Sequence, residues 1–252
     1  MSRQLGQFGV GGFIDEFGPT GLEGAVTRSG QLGTLVALER IGSRRGFARD
    51  EGIYAEGDPS DCWHRVVSGT VRISKLLADG RRHIAEFCFS GDCFGLDNAS
   101  ERAFSAEAVG EVTVMRYPRR ATDRLIDEDP QLARRLCDMT LSDLAHAQTR
   151  MLLLGRMTAA ERVASFLLEM SDRRDARRVL HLPMSRNDIA DYLGLTIETV
   201  CRVLSAFRRE GIIAIPTPQR IELRDRRALE GVGDAPSLTE RPTRPLRGGL
   251  EY

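Results

Sequence analysis

Lysine is nearly missing from this 252-residue chain: of 36 basic residues, Lys75 is the one lysine and the rest are arginine. We read that bias mainly as genome composition rather than mechanism. Also missing is any apolar run approaching the ~20 residues that span a bilayer. The N-terminus has no basic stretch followed by an apolar block, so no signal peptide is expected. The expectation is a cytoplasmic chain with no membrane partner. The formal net charge of +0 excludes nucleic-acid binding driven by global charge. Such binding would need a local patch, and residues 156–227 carry 14 arginines against 10 carboxylates.

Cysteine is absent from the first 61 residues, and the five present (Cys62, Cys88, Cys93, Cys137, Cys201) have no zinc-type spacing. An odd number without an export signal argues for free thiols. Cys88 and Cys93 read as strand-end or core thiols. The four histidines (His64, His83, His146, His181) show neither H-x-H nor H-x-x-x-H spacing, which disfavours a metal-dependent enzyme of the cupin kind. No metal site, cofactor or catalytic residue is expected. What remains, 41% hydrophobic and 29% charged, is the composition of a soluble globular protein with one large or two modest domains.

The chain divides by texture. Residues 1–33 are Gly-rich and read as a flexible arm, with a short helix near residues 32–39. Residues 34–120 carry Gly57, Gly69, Gly80 and Gly91 every eleven or twelve residues, with short β-branched runs between them. That pattern predicts a small antiparallel barrel or sandwich. Ala78-Asp79-Gly80 marks a hairpin. Alternation points Val71 and Ile73 to the core and Arg72 and Ser74 to solvent. Near Arg120 the period changes to that of a helix. Residues 122–126 form a short one, and Asp129-Pro130 opens a rod over residues 131–154, roughly 36 Å long. Cys137, Leu141, Leu144, Gln148 and Met151 follow a 4-3-4-3 spacing, the seam of a coiled coil. The seam suits dimerisation (residues 121–155), or packing on the chain's own β domain. Gly155 should break the rod. Thr158 and Glu161 then make a capping box before an apolar face of Val163, Phe166, Leu167 and Met170.

Residues 185–209 are the most informative stretch. Ser185 and Asp188 cap a helix with Ile189, Ala190 and Leu193 on one face, and Gly194 can end it in the left-handed conformation. Thr196 caps a second helix whose Val200, Val203, Leu204 and Phe207 face inward. Its opposite row is Glu198, Cys201, Arg202 and Ser205. A carboxylate, a small polar group and a guanidinium in one row suit base edges in a major groove. This predicts a helix-turn-helix with the second helix as reader, an ordinary helical hairpin being the alternative. Extended runs at residues 212–215 and 220–224 flank Pro216-Thr-Pro-Gln219 and add a wing. Residues 156–228 thus form a DNA-binding domain, and residues 229–252 a disordered tail. The fold class is α+β.

These parts in this order resemble the Crp/Fnr superfamily of bacterial transcription regulators. Gly194-Leu-Thr-Ile-Glu-Thr-Val-Cys-Arg-Val-Leu is similar to the Fnr-type reading motif Glu-x-x-Ser-Arg, with Cys201 in the serine place. Met151-Leu-Leu-Leu-Gly and Thr158-Ala-Ala-Glu-Arg-Val-Ala-Ser-Phe are similar to the same branch. A cysteine in the reading helix without an N-terminal cysteine cluster resembles the FixK subgroup. The resemblance implies a cyclic-nucleotide-binding-like β-roll and a homodimer that binds double-stranded TTG…CAA-type palindromes. It also implies recruitment of RNA polymerase and control of microoxic, denitrification or nitrogen-fixation genes. Arg202 would then reach guanine, Glu198 cytosine while also steadying Arg202, and Arg186, Thr196, Ser205, Arg208 and Arg209 the backbone.

The usual sensors of the superfamily have no obvious place here. An iron–sulfur sensor needs an N-terminal thiol cluster. A cyclic nucleotide needs an acid and an arginine where this chain has Leu96 and Phe104, within Gly91-Asp-Cys-Phe-Gly-Leu-Asp-Asn and Arg102-Ala-Phe-Ser-Ala. Cys201 stands apart: it lies near a helix N-terminus and beside Arg202, surroundings that generally favour thiolate chemistry. It is the candidate redox switch, or simply a small stand-in for serine. Two readings stay open: a ligand-independent activator inhibited by oxidation of Cys201, and a regulator whose β-roll senses a small molecule.

Overall fold

Four of the recurring glycines, Gly57, Gly69, Gly80 and Gly91, have φ between 84 and 98°. They turn the chain where a side chain would strain it, and the runs between them pair as strands. The computed structural model describes residues 38–97, 99–173 and 178–233. The arm expected over residues 1–33 and most of the expected tail lie outside them. After a helical turn at residues 38–41 come β1 (Ser43–Phe47), β2 (Gly52–Tyr54), β3 (Cys62–Ser68), β4 (Val71–Leu76), β5 (Arg82–Cys88), β6 (Cys93–Phe94), β7 (Ser105–Ala108) and β8 (Val112–Pro118). They form two four-stranded antiparallel sheets, β1-β8-β3-β6 and β2-β7-β4-β5. Val66, Val71, Cys88, Phe94, Ala106 and Val114 fill the space between them. The β-roll is therefore as expected, with β1, β7 and the two-residue β6 added to the β-branched runs. β1 is an exposed edge strand of Ser, Arg and Gly, and β7 is built of small residues, so neither shows the β-branched signature.

Helices follow: α1 (Arg119–Glu128), α2 (Pro130–Arg156) and α3 (Ala159–Arg173). Trp63 Nε1 donates to Thr122 Oγ1 at 2.9 Å and ties α1 to the roll. Pro130 takes the first position of α2, where its missing N–H is harmless. Gly155 does not itself end α2, which runs on to Arg156. The break comes at Met157, and a reciprocal capping box opens α3: the Glu161 amide donates to Thr158 Oγ1 at 3.3 Å, and the Thr158 amide donates to Glu161 Oε2 at 2.6 Å.

The C-terminal domain comprises α3, β9 (Val179–His181), α4 (Arg186–Leu193), α5 (Ile197–Arg209), β10 (Ile213–Thr217), β11 (Arg220–Leu223) and α6 (Arg226–Gly233). Its sheet has the order β10-β11-β9. Two expectations change here. The tail does not begin at residue 229, because α6 carries the chain to Gly233 and buries Leu229 completely against α3. Arg72 and Ser74 do not face solvent. They are 9% and 5% exposed, because the outer face of sheet β2-β7-β4-β5 is covered by the C-terminal domain. Ile84 and Phe87 on the same face join its apolar core with Phe166, Ile189 and Tyr192. Hydropathy alternation presumes one wet face, and this sheet has none there.

His64 is 4% exposed and stacks on Phe94 at 5.0 Å. Burial, and then the Arg102 and Arg116 guanidiniums, push its pKa down to about 3. The unfolded chain binds this proton near pH 6.5 and the folded chain does not. The stability contributed by neutral His64 is thus complete above that pH and is lost as pH falls toward 3. We expect about 2–3 kcal/mol of loss between roughly pH 7 and 4.5 from this group. Replacing His64→Gln should flatten that limb in urea unfolding followed against pH, and an unchanged slope would refute the assignment.

Candidate nucleic-acid interface

Local chemistry builds the reader. Ser185 Oγ accepts from the Asp188 amide at 3.0 Å, and Asp188 Oδ2 accepts from the Ser185 amide at 3.0 Å, so α4 begins on the capping box read from the sequence. Gly194 ends it with φ 62 and ψ 39. Thr196 caps α5 by accepting from the Thr199 amide at 3.3 Å. Val200, Leu204 and Phe207 are buried, at 0, 3 and 4% exposure. Glu198, Cys201, Arg202 and Ser205 are all exposed on the opposite side. The structure therefore presents the row of groups that the sequence placed together.

Details inside the row differ from expectation. Arg202 does not rest on Glu198: its guanidinium donates to Thr199 Oγ1 at 3.3 Å. Glu198 turns instead to its own amide and to the Thr196 hydroxyl, which together hold its carboxyl below the usual range. The first turn of a helix rewards a carboxylate that faces its free N–H groups, which outweighs an exposed pair across one turn. Arg208 and Arg209 are exposed in the last turn of α5, where positive charge suits the helix dipole. Arg186 is half-buried. It donates to the carbonyl of Pro218 in the wing at 2.9 Å, while its second terminal nitrogen is buried without a partner. Burial depresses this guanidinium, and the nearby Cys201 acts in the opposite sense.

Along α2 every seam residue faces out: Cys137 and Gln148 are exposed, and Leu141, Leu144 and Met151 are 57, 53 and 73% exposed. Earlier in the helix, Leu132 and Leu136 pack on Trp63, Tyr117 and Leu38. The helix is anchored on the roll at its start and beyond that leaves this stripe uncovered among the described residues.

The β-roll holds a cavity of about 160 Å³ lined by Tyr54, Glu86, Phe94, Leu96, Asp97 and Phe104, among others. Its nearby cation is Arg102, whose side chain is 1% exposed. Arg102 donates to the Gly95 carbonyl at 2.7 Å, to Asp97 at 2.9 Å and to the Cys62 carbonyl, and it lies 4.3 Å over the Tyr54 ring. A phosphate in this cavity would meet Glu86 and Asp97 and would find the guanidinium already engaged. Among the described residues, no group of His, Cys, Asp and Glu is arranged to hold a metal, and no helix is long and apolar enough to cross a membrane. Sequence reasoning missed one set of residues altogether: Arg72, Arg82, Arg162 and Tyr192, which join the domains. Arg72, Arg82 and Tyr192 find partners far away in sequence, and Arg162 joins Leu154 to Leu193, so no periodicity marks them.

Comparison with known proteins agrees with this arrangement. Residues 161–232 match the Crp-like helix-turn-helix domain, and residues 44–129 match the cyclic nucleotide-binding domain. The chain is 44% identical over 194 residues to the nitrogen fixation regulation protein FixK of Azorhizobium caulinodans, covering 75% of this chain and 78% of that protein. It is 42% identical over 195 residues to FixK of Bradyrhizobium diazoefficiens, covering 76% and 82%. The solved structure of FixK2 from Bradyrhizobium japonicum superposes with a TM-score of 0.75 at 43% identity, over 78% of this chain and all of that one.

The turn between α4 and α5 depends on backbone freedom rather than space. A Cβ on Gly194 would meet only ordinary contacts, Arg162 Nη1 at 3.7 Å and Leu154 Cδ2 at 3.8 Å, but φ is positive. Gly194→Ala should therefore destabilise by about 1–2 kcal/mol, read as a lower urea midpoint at unchanged slope. Wild-type stability would show that the turn can relax.

Proposed function

The chain belongs to the FixK subgroup of the Crp/Fnr superfamily of transcription regulators, and from that premise we propose how it works: as a dimeric activator that reads TTG…CAA-type palindromes, recruits RNA polymerase, needs no ligand and is inhibited by oxidation of Cys201. The members of this family are DNA-binding regulators, not enzymes. The FixK relatives are named for nitrogen fixation regulation, and the protein by this reading serves nitrogen-fixation, microoxic or denitrification genes in the cytoplasm. The observation that carries this reading is the exposed row Glu198, Cys201, Arg202 and Ser205 on a helix whose other face is buried.

Arg202 donates both arms of its fork to guanine N7 and O6, and Glu198 accepts from cytosine N4. Thr196, Ser205, Arg186, Arg208 and Arg209 meet the phosphates and set register. The uncovered stripe Cys137, Leu141, Leu144, Gln148 and Met151 supports pairing through α2, which gives two readers for a two-fold site. The engaged Arg102 and the carboxylates of the β-roll cavity support independence from a cyclic nucleotide. The cavity itself is the observation behind the other reading, a β-roll that senses a small molecule.

Cys201 is exposed beside the reading arginine. Two equivalents of peroxide would convert its thiol to a sulfinate and release two waters, placing a negative group against the phosphates. An adduct or a disulfide would obstruct the groove by bulk.

Arg202→Ala should lose selectivity for the palindrome over its mismatched form, by about 1–3 kcal/mol per half-site, in a competition binding assay. Retained preference would rule out the assignment. Peroxide should abolish DNA binding by the wild type and spare Cys201→Ser. If both lose binding equally, the switch is elsewhere.

A further inference from the structure

We infer that Arg72 and Arg82 of the β-roll are positioning residues for DNA recognition: by clamping Asp188 and Asp191 on α4 they fix the angle of the reading helix and thereby set the half-site spacing that the dimer accepts. This rests on the two-fold reading proposed above.

The clamp is centred on Asp188, whose side chain is 5% exposed. One of its oxygens is engaged within the reader, accepting from the Ser185 amide at 3.0 Å and the Ser185 hydroxyl at 2.7 Å. The other faces the β-roll and accepts from Arg82 at 2.6 Å and Arg72 at 3.5 Å. Arg82 also reaches Asp191, one helical turn on, at 2.8 Å. Arg72 is aimed by Glu107 of its own sheet at 2.8 Å and by Asp50 of the β1–β2 turn at 3.1 Å. Both arginines stand on the sheet β2-β7-β4-β5, so the cations are part of the roll and the central acid is part of the reader.

A lone exposed ion pair would hold little. This one is flanked by apolar contact, with the Phe87 and Tyr192 rings 5.2 Å apart. A second attachment joins α3 to the roll, where Arg173 reaches Asp92 at 2.5 Å and the Phe87 carbonyl at 3.2 Å. Two separated anchors oppose rotation as well as departure. Between α4 and α5 stand only Gly194, Leu195 and Thr196, so the orientation of α4 is passed to the reader. α5 is roughly 20 Å long, and tilting it by about 10° moves its far end by about 3.4 Å, one base-pair step. Reading helices of a dimer must meet grooves one helical turn apart, so such a tilt changes the half-site spacing that fits.

The test uses the full-length protein and palindromes whose central spacer is of preferred length, one base pair shorter or one longer. We expect the wild type to favour one spacer by about tenfold or more. The double variant Arg72→Ala, Arg82→Ala should narrow that to within about threefold while its base discrimination inside the half-site is unchanged, and Arg82→Lys, which keeps the charge but loses the fork that reaches both Asp188 and Asp191, should fall between the double variant and the wild type. Asp191→Asn removes one partner of Arg82 outside the capping box, and it should relax spacing less, should the double variant fail to fold. A folded variant with spacing preference as sharp as the wild type overturns the proposal. So does loss of spacing preference in proportion to base discrimination, the mark of a reader merely destabilised. A wild type indifferent to palindromes would instead overturn the two-fold reading itself, and the spacing role with it.

Discussion

One short helix, α4, is gripped from three sides, and the rest of the molecule is arranged around that grip. Its Tyr192 ring lies 5.2 Å from Phe87 of the roll and 5.6 Å from Phe166 of α3. The Arg150 guanidinium of α2 sits 4.6 Å above it, and its hydroxyl donates to Glu169 at 3.1 Å. Burial forces a partner on that hydroxyl, and Glu169 fixes which way the ring faces. At the end of α4, Arg162 donates to the Leu193 carbonyl at 3.0 Å, to Leu154 at 2.8 Å and to Met157 at 3.0 Å. A single guanidinium thus closes the C-terminal carbonyls of both the rod and the first reader helix. Roll, rod and reader cannot move independently while these contacts hold.

Arginine supplies most of these joints. The near absence of lysine reads from the sequence as composition bias, yet the structure uses the difference. Arg72, Arg102, Arg162 and Arg226 each address several acceptors at once; Arg226, for example, ties α6 to α3 through Asp172 at 2.9 Å and Ser171 at 3.1 Å while holding Glu230 at 2.8 Å. A planar fork meets such sets in fixed directions, and an ammonium on a flexible stem would not. The chain can therefore be electrically neutral overall and still be held by cations. Asp188 shows the balance: burial raises its carboxyl, but the Ser185 hydroxyl and amide, then Arg72 and Arg82, outweigh it and hold it below the usual range. It stays charged across the pH at which proteins work.

How far the sequence could be read follows from the range of the interactions involved. Caps act over three residues, and Ser185–Asp188, Thr158–Glu161, Thr196 and Gly194 all stand where their spacing placed them. Amphipathic periods act over one helix, and the two faces of α5 were legible for that reason. Alternation failed at Arg72 and Ser74 because the partner that buries them is about a hundred residues away. The strands β1 and β7 lacked a hydrophobic signature, and α6 was hidden by Gly and Arg in a segment that reads as tail. Glu198 was assigned to the wrong neighbour because two local attractions competed and the helix N-terminus won. The burial of Arg72 and Ser74 was thus decided outside the local window, whereas at Glu198 the choice lay within one helical turn.

The β-roll poses the remaining question, since its fold matches a nucleotide-binding domain while its cavity offers carboxylates and an arginine already engaged. In the cavity, the apolar side chains of Leu96 and Phe104 stand beside Glu86 and Asp97. On the outer face of the same roll, Arg72, Arg82, Ile84 and Phe87 make a dry, charge-matched seat for α4. Burying the Arg72 guanidinium is unfavourable unless its carboxylate neighbours are in place, so the seat is specific in geometry. The outer face of the roll is thus a binding surface in its own right, engaging α4 through both charge and apolar contact.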